Sequence, residues 1–174
     1  EEVAHGIPGE RRLKAGDKVN IDVSVELDGY FADTGATVII PPAGLEGDKL
    51  CRAARSALSK ALRAARAGRR LNEVGRAVEE EAQRFGFTVV RNLCGHGVGR
   101  RLHEEPRHIL NFYHPDQNQR LEKGMVLAIE PFVSMGEEFV EEAGDGWTLI
   151  TPKGSWVAQF EHTIIVTEQD PIII

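Results

Sequence analysis

The stretch NIDVSVELDGYFADTG, Asn20 to Gly35, decides how the chain folds. Val19, Ile21, Val23, Val25 and Leu27 alternate with Asn20, Asp22, Ser24 and Glu26. Period-two alternation of this kind marks a half-buried strand. Asp28-Gly29 is a strong two-residue hairpin turn, so residues 30–40 are read as a returning strand. With that turn, Leu27 pairs with Tyr30 and Ser24 with Asp33. Asp22 and Asp33 then become diagonal cross-strand neighbours, about 7–8 Å apart at Cβ. Two bare carboxylates so placed repel, and one of them resists ionising. A cation between them removes that penalty.

Further along, Asp48 is expected to cap a helix carrying Leu50, Ala54, Ala57, Leu58, Ala61 and Ala65 on one face, with Gly68 at its end. Asn72 is expected to cap a second helix, with Val74, Val78, Ala82 and Phe85 inward and Gly86 at its end. Residues 87–93 read as a strand, 94–104 (CGHGVGRRLHE) as a glycine-rich loop, and 106–124 as polar loop. The segments 125–132 and 157–168 read as buried strands, each with one carboxylate, Glu130 and Glu161. Residues 136–155 read as turns around short strands, and the first nine residues as loop. Strands, two helices and then strands predict an α+β fold with a mostly antiparallel sheet.

Buried carboxylates are rare unless paired or bound to metal. Asp22, Asp33, Glu130 and Glu161, with His96 between two glycines, therefore form a candidate ligand set. Mostly oxygen donors exclude a structural zinc site, which takes thiolates. They suit Mn²⁺, Fe²⁺, Co²⁺ or catalytic Zn²⁺. Four negative charges exceed what one divalent ion needs. Two ions about 3.5–4 Å apart balance them and bring hydrolytic chemistry.

At this point the residues resemble the type I methionine aminopeptidases. VAHGIP, VNIDV, ADTG, GHGVGRRLHEEP, IEPF, DGW and AQFEHT occur in that family's order, over nearly the whole chain. The resemblance implies a pita-bread fold with a curved antiparallel sheet, helices on its outer face, and two divalent metal ions. It implies that Asp33 and Glu161 bridge both ions, that Asp22 holds one, and that His96 and Glu130 hold the other. A metal-bridging hydroxide would attack the first peptide carbonyl. Glu130 would shuttle the proton, His103 and His5 would act on the substrate or its transition state, and Trp147 would wall the substrate pocket. The 27 residues from His103 to Glu130 leave no room for the helical insertion of type II enzymes.

The expected substrates are N-terminal methionyl peptides of nascent proteins, with the ribosome as a further partner. The alternatives are a proline-specific aminopeptidase or prolidase of the same fold, and a non-catalytic binding module on it. The whole of 1–174 is expected to be one catalytic domain, lacking the stretch that normally precedes HGIP and helps form the methionine pocket. Leu102 stands where many relatives carry an aromatic residue, which bears on fine specificity.

Composition narrows the rest. The chain has 174 residues, 41% of them apolar, enough for one domain with a core. Its net charge of −6 speaks against nucleic-acid binding. The basic run RAARSALSKALRAARAGRR reads as a solvated helix face. No apolar run reaches the eighteen residues of a membrane span, and no signal peptide is read. Cys51 and Cys94 do not make a disulfide framework, so a reducing, cytoplasmic setting is expected. Cys94 is read as a small packer rather than a nucleophile, His162 as packing on the face opposite Glu161, and His108 and His114 as solvated. No serine sits in a nucleophile elbow.

Overall fold

The computed structural model describes residues 2–174. The hairpin forms with the expected register. β2 (Lys18–Leu27) and β3 (Tyr30–Ile39) pair from Lys18↔Ile39 to Leu27↔Tyr30, with Ser24 opposite Asp33. Asp28 and Gly29 both take left-handed backbone angles, φ 52° and 81°. That geometry matches the twist of the flanking strands.

Ahead of the hairpin lies β1 (Glu2–Ala4), where the sequence reads as loop. After it come α1 (Leu45–Ala64) and α2 (Leu71–Arg84), then β4 (Thr88–Val89), β5 (Cys94–Gly97) and β6 (Glu104–Leu110). β7 (Val126–Ile129), β8 (Phe132–Ser134), β9 (Glu141–Glu142), β10 (Leu149–Ile150), β11 (Val157–Ile165) and β12 (Ile172–Ile173) complete the chain. The pairings are antiparallel, and the main sheet runs β2-β3-β11-β7-β5-β6. A small second sheet joins β1, β10 and β9. The architecture is the expected α+β.

The helices begin earlier than their sequence signals suggest. Gly44 caps α1, and Asp48 lies in its first turn, where an acid favours the dipole as well as a cap would. Arg70 caps α2, with the Glu73 carboxylate accepting its backbone N–H at 2.9 Å. α1 ends at Ala64 rather than at Gly68. Gly86, at φ 82°, closes α2 as expected. The predicted inner faces hold: Leu50, Ala54, Ala57, Ala61, Val74, Val78 and Ala82 are buried. They pack against Phe160, Ile164, Leu127, Ile129 and Val133 of the sheet. One sheet face therefore carries the core, and the other is left to the carboxylates.

Four expectations about strands are corrected. The apolar row of β2 is exposed, with Ile21 at 55% and Leu27 at 72%. β2 is the edge strand, one position beyond the strands over which the helices pack. The residues 94–97, expected as loop, form an inner strand. A Cβ on Gly95 would stand 2.3 Å from the Ala128 carbonyl oxygen, and one on Gly97 equally near that of Glu105. These glycines serve close packing of strands, not a loop. Residues 104–110, also expected as loop, form the opposite edge strand; its buried residues, Pro106 and Ile109, are three apart, so no period-two row marks it. The strand expected over 87–93 shortens to Thr88–Val89.

Candidate metal centre

Proline builds the centre of the site. Pro131 has no N–H to donate and interrupts the strand that would otherwise join β7 to β8. Both halves still pair with β11 in one common register, His162↔Ile129 and Gln159↔Phe132. Glu130 is thus held directly opposite Glu161, in the gap between the two ladders. On the far side of β11, Glu161 faces Gly35, and Gly35 faces Asp22. Asp22, Gly35, Glu161 and Glu130 therefore form one row across four strands. Asp33 lies two residues from Gly35 on the same strand face. His96, opposite Ala128, lies one strand beyond Glu130.

Asp33, His96 and Glu161 are all buried and bring one ligand atom each to within 4.8 Å of one another. His96 Nε2 stands 3.9 Å from Asp33 Oδ2 and 3.5 Å from Glu130 Oε1. The Nδ1–H of His96 donates to the Gly97 carbonyl at 2.9 Å. A carbonyl only accepts, so this bond leaves a lone pair on Nε2, aimed at the carboxylates. Glu161 Oε1 is sealed from solvent and has no hydrogen-bond partner among the described residues. An orphaned buried acceptor costs about 1–3 kcal/mol. A cation bound there removes that cost.

The carboxyls are held away from their ordinary range. Burial, then the charges of Asp33 and Asp22, pushes Glu161 up to about 9. Burial, then the charge of Glu161, raises Glu130 well above the carboxylate range. Asp22 lies on an exposed strand, yet its carboxyl reaches into the cleft. Desolvation there, then Asp33, raises it to about 6. Every shift has the sign of a site with too much negative charge and too little water. Together with the orphaned oxygen and the free Nε2, this donor set fits divalent ions bound through oxygen and imidazole.

The remaining expected residues stand around the same cleft, of about 950 Å³, whose walls include His5, Asp22, His96, His103 and Glu130. The His103 ring lies 4.2 Å from that of His96. Burial, then His96, lowers its pKa, which keeps it neutral at neutral pH. The hairpin steadies the loop that carries it: Phe31 N–H donates to the Gly99 carbonyl at 2.7 Å, and Arg100 lies over the Tyr30 ring at 3.8 Å. His5 takes a left-handed φ of 57° and stacks on Trp147 at 4.8 Å. Trp147 itself is 58% exposed and stands behind His5 rather than among the residues that line the cleft. Cys94 is raised to about 11 by burial and then by Glu130, which leaves it a protonated packing group. His108 is exposed, as expected, while His114 and His162 are half-buried.

Residues that the sequence reading did not single out support the ligands. Ser24 Oγ donates to Asp33 Oδ1 at 3.1 Å. The Thr163 hydroxyl bonds both the N–H and the carbonyl of Asp33, at 2.7 and 2.8 Å. Gln159 Nε2 donates to Glu161 Oε2 at 3.0 Å. The available signal was spacing, since Gln159 and Thr163 flank Glu161 by two residues and so share its face.

A fold of this kind, with carboxylates and one imidazole converging on the sheet face away from the helices, defines a metallopeptidase. The chain belongs to metallopeptidase family M24, whose model matches residues 1–168. Within that family it is 51% identical to methionine aminopeptidase 2 of Bacillus subtilis, over the whole of this chain and 70% of that protein. It is 43% identical to a methionine aminopeptidase of Staphylococcus epidermidis, over 99% of this chain and 69% of the other. The crystal structure of the Thermotoga maritima methionine aminopeptidase superposes with a TM-score of 0.94 at 43% identity, covering 99% of this chain and 69% of that one. The Pyrococcus furiosus prolidase shares the fold at a TM-score of 0.75 and 24% identity.

Proposed function

We infer that the chain is a metal-dependent aminopeptidase that removes N-terminal methionine from nascent proteins. The observation that carries this reading is the convergence of Asp33, His96 and Glu161, with Glu130 opposite Glu161. Asp22, Asp33, His96, Glu130 and Glu161 would hold two divalent ions, drawn from Co²⁺, Mn²⁺, Fe²⁺ and Zn²⁺, with Asp33 and Glu161 shared between them. Such ions supply a water activated near neutral pH and polarise the peptide carbonyl.

The chain's own groups do the rest. Glu130, opposite Glu161, would take a proton from the attacking water and pass it to the leaving amine. Neutral His103 donates a hydrogen bond to the oxygen on which charge develops. His5, which lines the cleft and is braced from behind by Trp147, binds the substrate. Residues 1–174 act as one catalytic unit, in the cytoplasm, on chains emerging from the ribosome. No helix among the described residues is long and apolar enough to cross a membrane.

Calorimetric titration tests the metal, and a peptide pair tests the substrate. Purified protein titrated with Co²⁺ or Mn²⁺ is expected to take up close to two ions per chain. No uptake would remove the enzyme reading and leave a binding module. In the metal-loaded protein, Met-Ala-Ser is expected to be cleaved at the first bond well ahead of Ala-Pro. The opposite preference would assign the site to a proline-specific peptidase.

A further inference from the structure

We infer that Gln159 is a positioning residue that fixes the Glu161 carboxylate for metal, and that Asn20 sets the direction of its amide. This rests on the metal reading above. Gln159 is 2% exposed, and its side chain occupies the space a Cβ on Gly35 would fill, 2.3 Å away. Gly35 stands in the carboxylate row between Asp22 and Glu161. The absence of a side chain there lets the amide lie beside Glu161.

The direction of the amide follows from its neighbours. The Thr37 hydroxyl donates to the Gln159 carbonyl at 2.8 Å, so toward Asn20, 3.2 Å away, its oxygen only accepts. The Gln159 main-chain carbonyl, 3.4 Å from Asn20 Nδ2, also only accepts. Asn20 must therefore present its NH₂ to this corner. The same NH₂ donates to Gln159 Oε1 at 2.9 Å. With Oε1 so engaged, the Gln159 NH₂ must face Glu161 Oε2, at 3.0 Å. A one-way chain of donors thus runs from β2 to the carboxylate. It occupies one lone pair of Glu161 Oε2 and leaves Oε1 and the remaining lone pair of Oε2 for the ions. Partners of this kind beyond the ligands commonly change metal affinity 10–100-fold.

The test is Mn²⁺ affinity by calorimetry, with the melting of each metal-free protein as a check on folding. Gln159→Met is expected to weaken Mn²⁺ binding about 10–100-fold. Asn20→Ala is expected to weaken it less, and the double variant to match Gln159→Met alone, because Asn20 acts only through the amide. Asn20→Asp preserves shape and gives a second, independent arm. Added negative charge by itself would tighten cation binding. An inverted amide, with its NH₂ turned to the new carboxylate and Oε1 toward Glu161, would weaken it, and weakening is expected. Wild-type-like affinity in Gln159→Met, multiplying losses in the double variant, or tighter binding in Asn20→Asp would each overturn the inference. If Gln159→Met fails to fold, the Asn20→Asp arm decides alone. Failure of the wild type to bind Mn²⁺ would instead overturn the metal reading itself.

Discussion

Asp33→Asn is expected to abolish peptidase activity and weaken divalent-metal binding at least a thousandfold, while the metal-free protein becomes no less stable. One full charge at about 4 Å contributes about 4 kcal/mol per unit of cation charge at an effective dielectric of 20, so about three powers of ten in affinity is a lower bound for a divalent ion. The amide keeps the shape of the side chain and an oxygen to accept from Ser24. The bonds of Thr163 go to the Asp33 backbone and survive the change. Meanwhile Asp22, Glu130 and Glu161 lose a repelling neighbour that now raises all three. Calorimetric titration and thermal melting of the metal-free variant measure the two effects separately. A metal-free Asp33→Asn protein that melts clearly below the wild type would show Asp33 to be chiefly structural.

Raising the pH is expected to destabilise the metal-free protein, and adding metal to cancel or reverse that trend. In the folded chain Glu161 is held up to about 9, against 4.5 for an ordinary glutamate. Between those values the folded state keeps a proton that the unfolded state has lost. The stabilisation is therefore complete below about pH 4.5 and is lost progressively as the pH rises toward 9. The loss amounts to at most about 1.4 kcal/mol per pH unit for one such group. Glu130 shifts in the same direction and steepens the decline, and Asp22 adds to it below about 6. Metal requires ionised carboxylates, so its affinity climbs with pH and opposes the decline. Melting curves from pH 5 to 8.5, with and without saturating Mn²⁺, read both arms. A metal-free melting temperature that rises across this range would contradict the charge-crowded picture of the site.

The sequence by itself determined the hairpin, the two helices and the identity of the carboxylates. Those are local statements. Alternation over 19–27 and the Asp28-Gly29 turn dictate the register that pairs Ser24 with Asp33, because side chains alternate and the turn length is two. Lone acids in the apolar strands of Glu130 and Glu161 signal a cation for the same local reason. Tertiary structure alone decided which sheet face the helices cover, and that choice left the apolar row of β2 exposed at an edge that its own pattern marks as half-buried. It decided that Gly95 and Gly97 belong to a strand, because glycine reads as a breaker until a carbonyl is found where its Cβ would be. It decided too that Glu130 stands opposite Glu161, through a register shared across the break at Pro131. The donor chain from Asn20 through Gln159 was likewise invisible in the sequence, since its partners lie 139 residues apart and meet only when β2 and β11 flank β3.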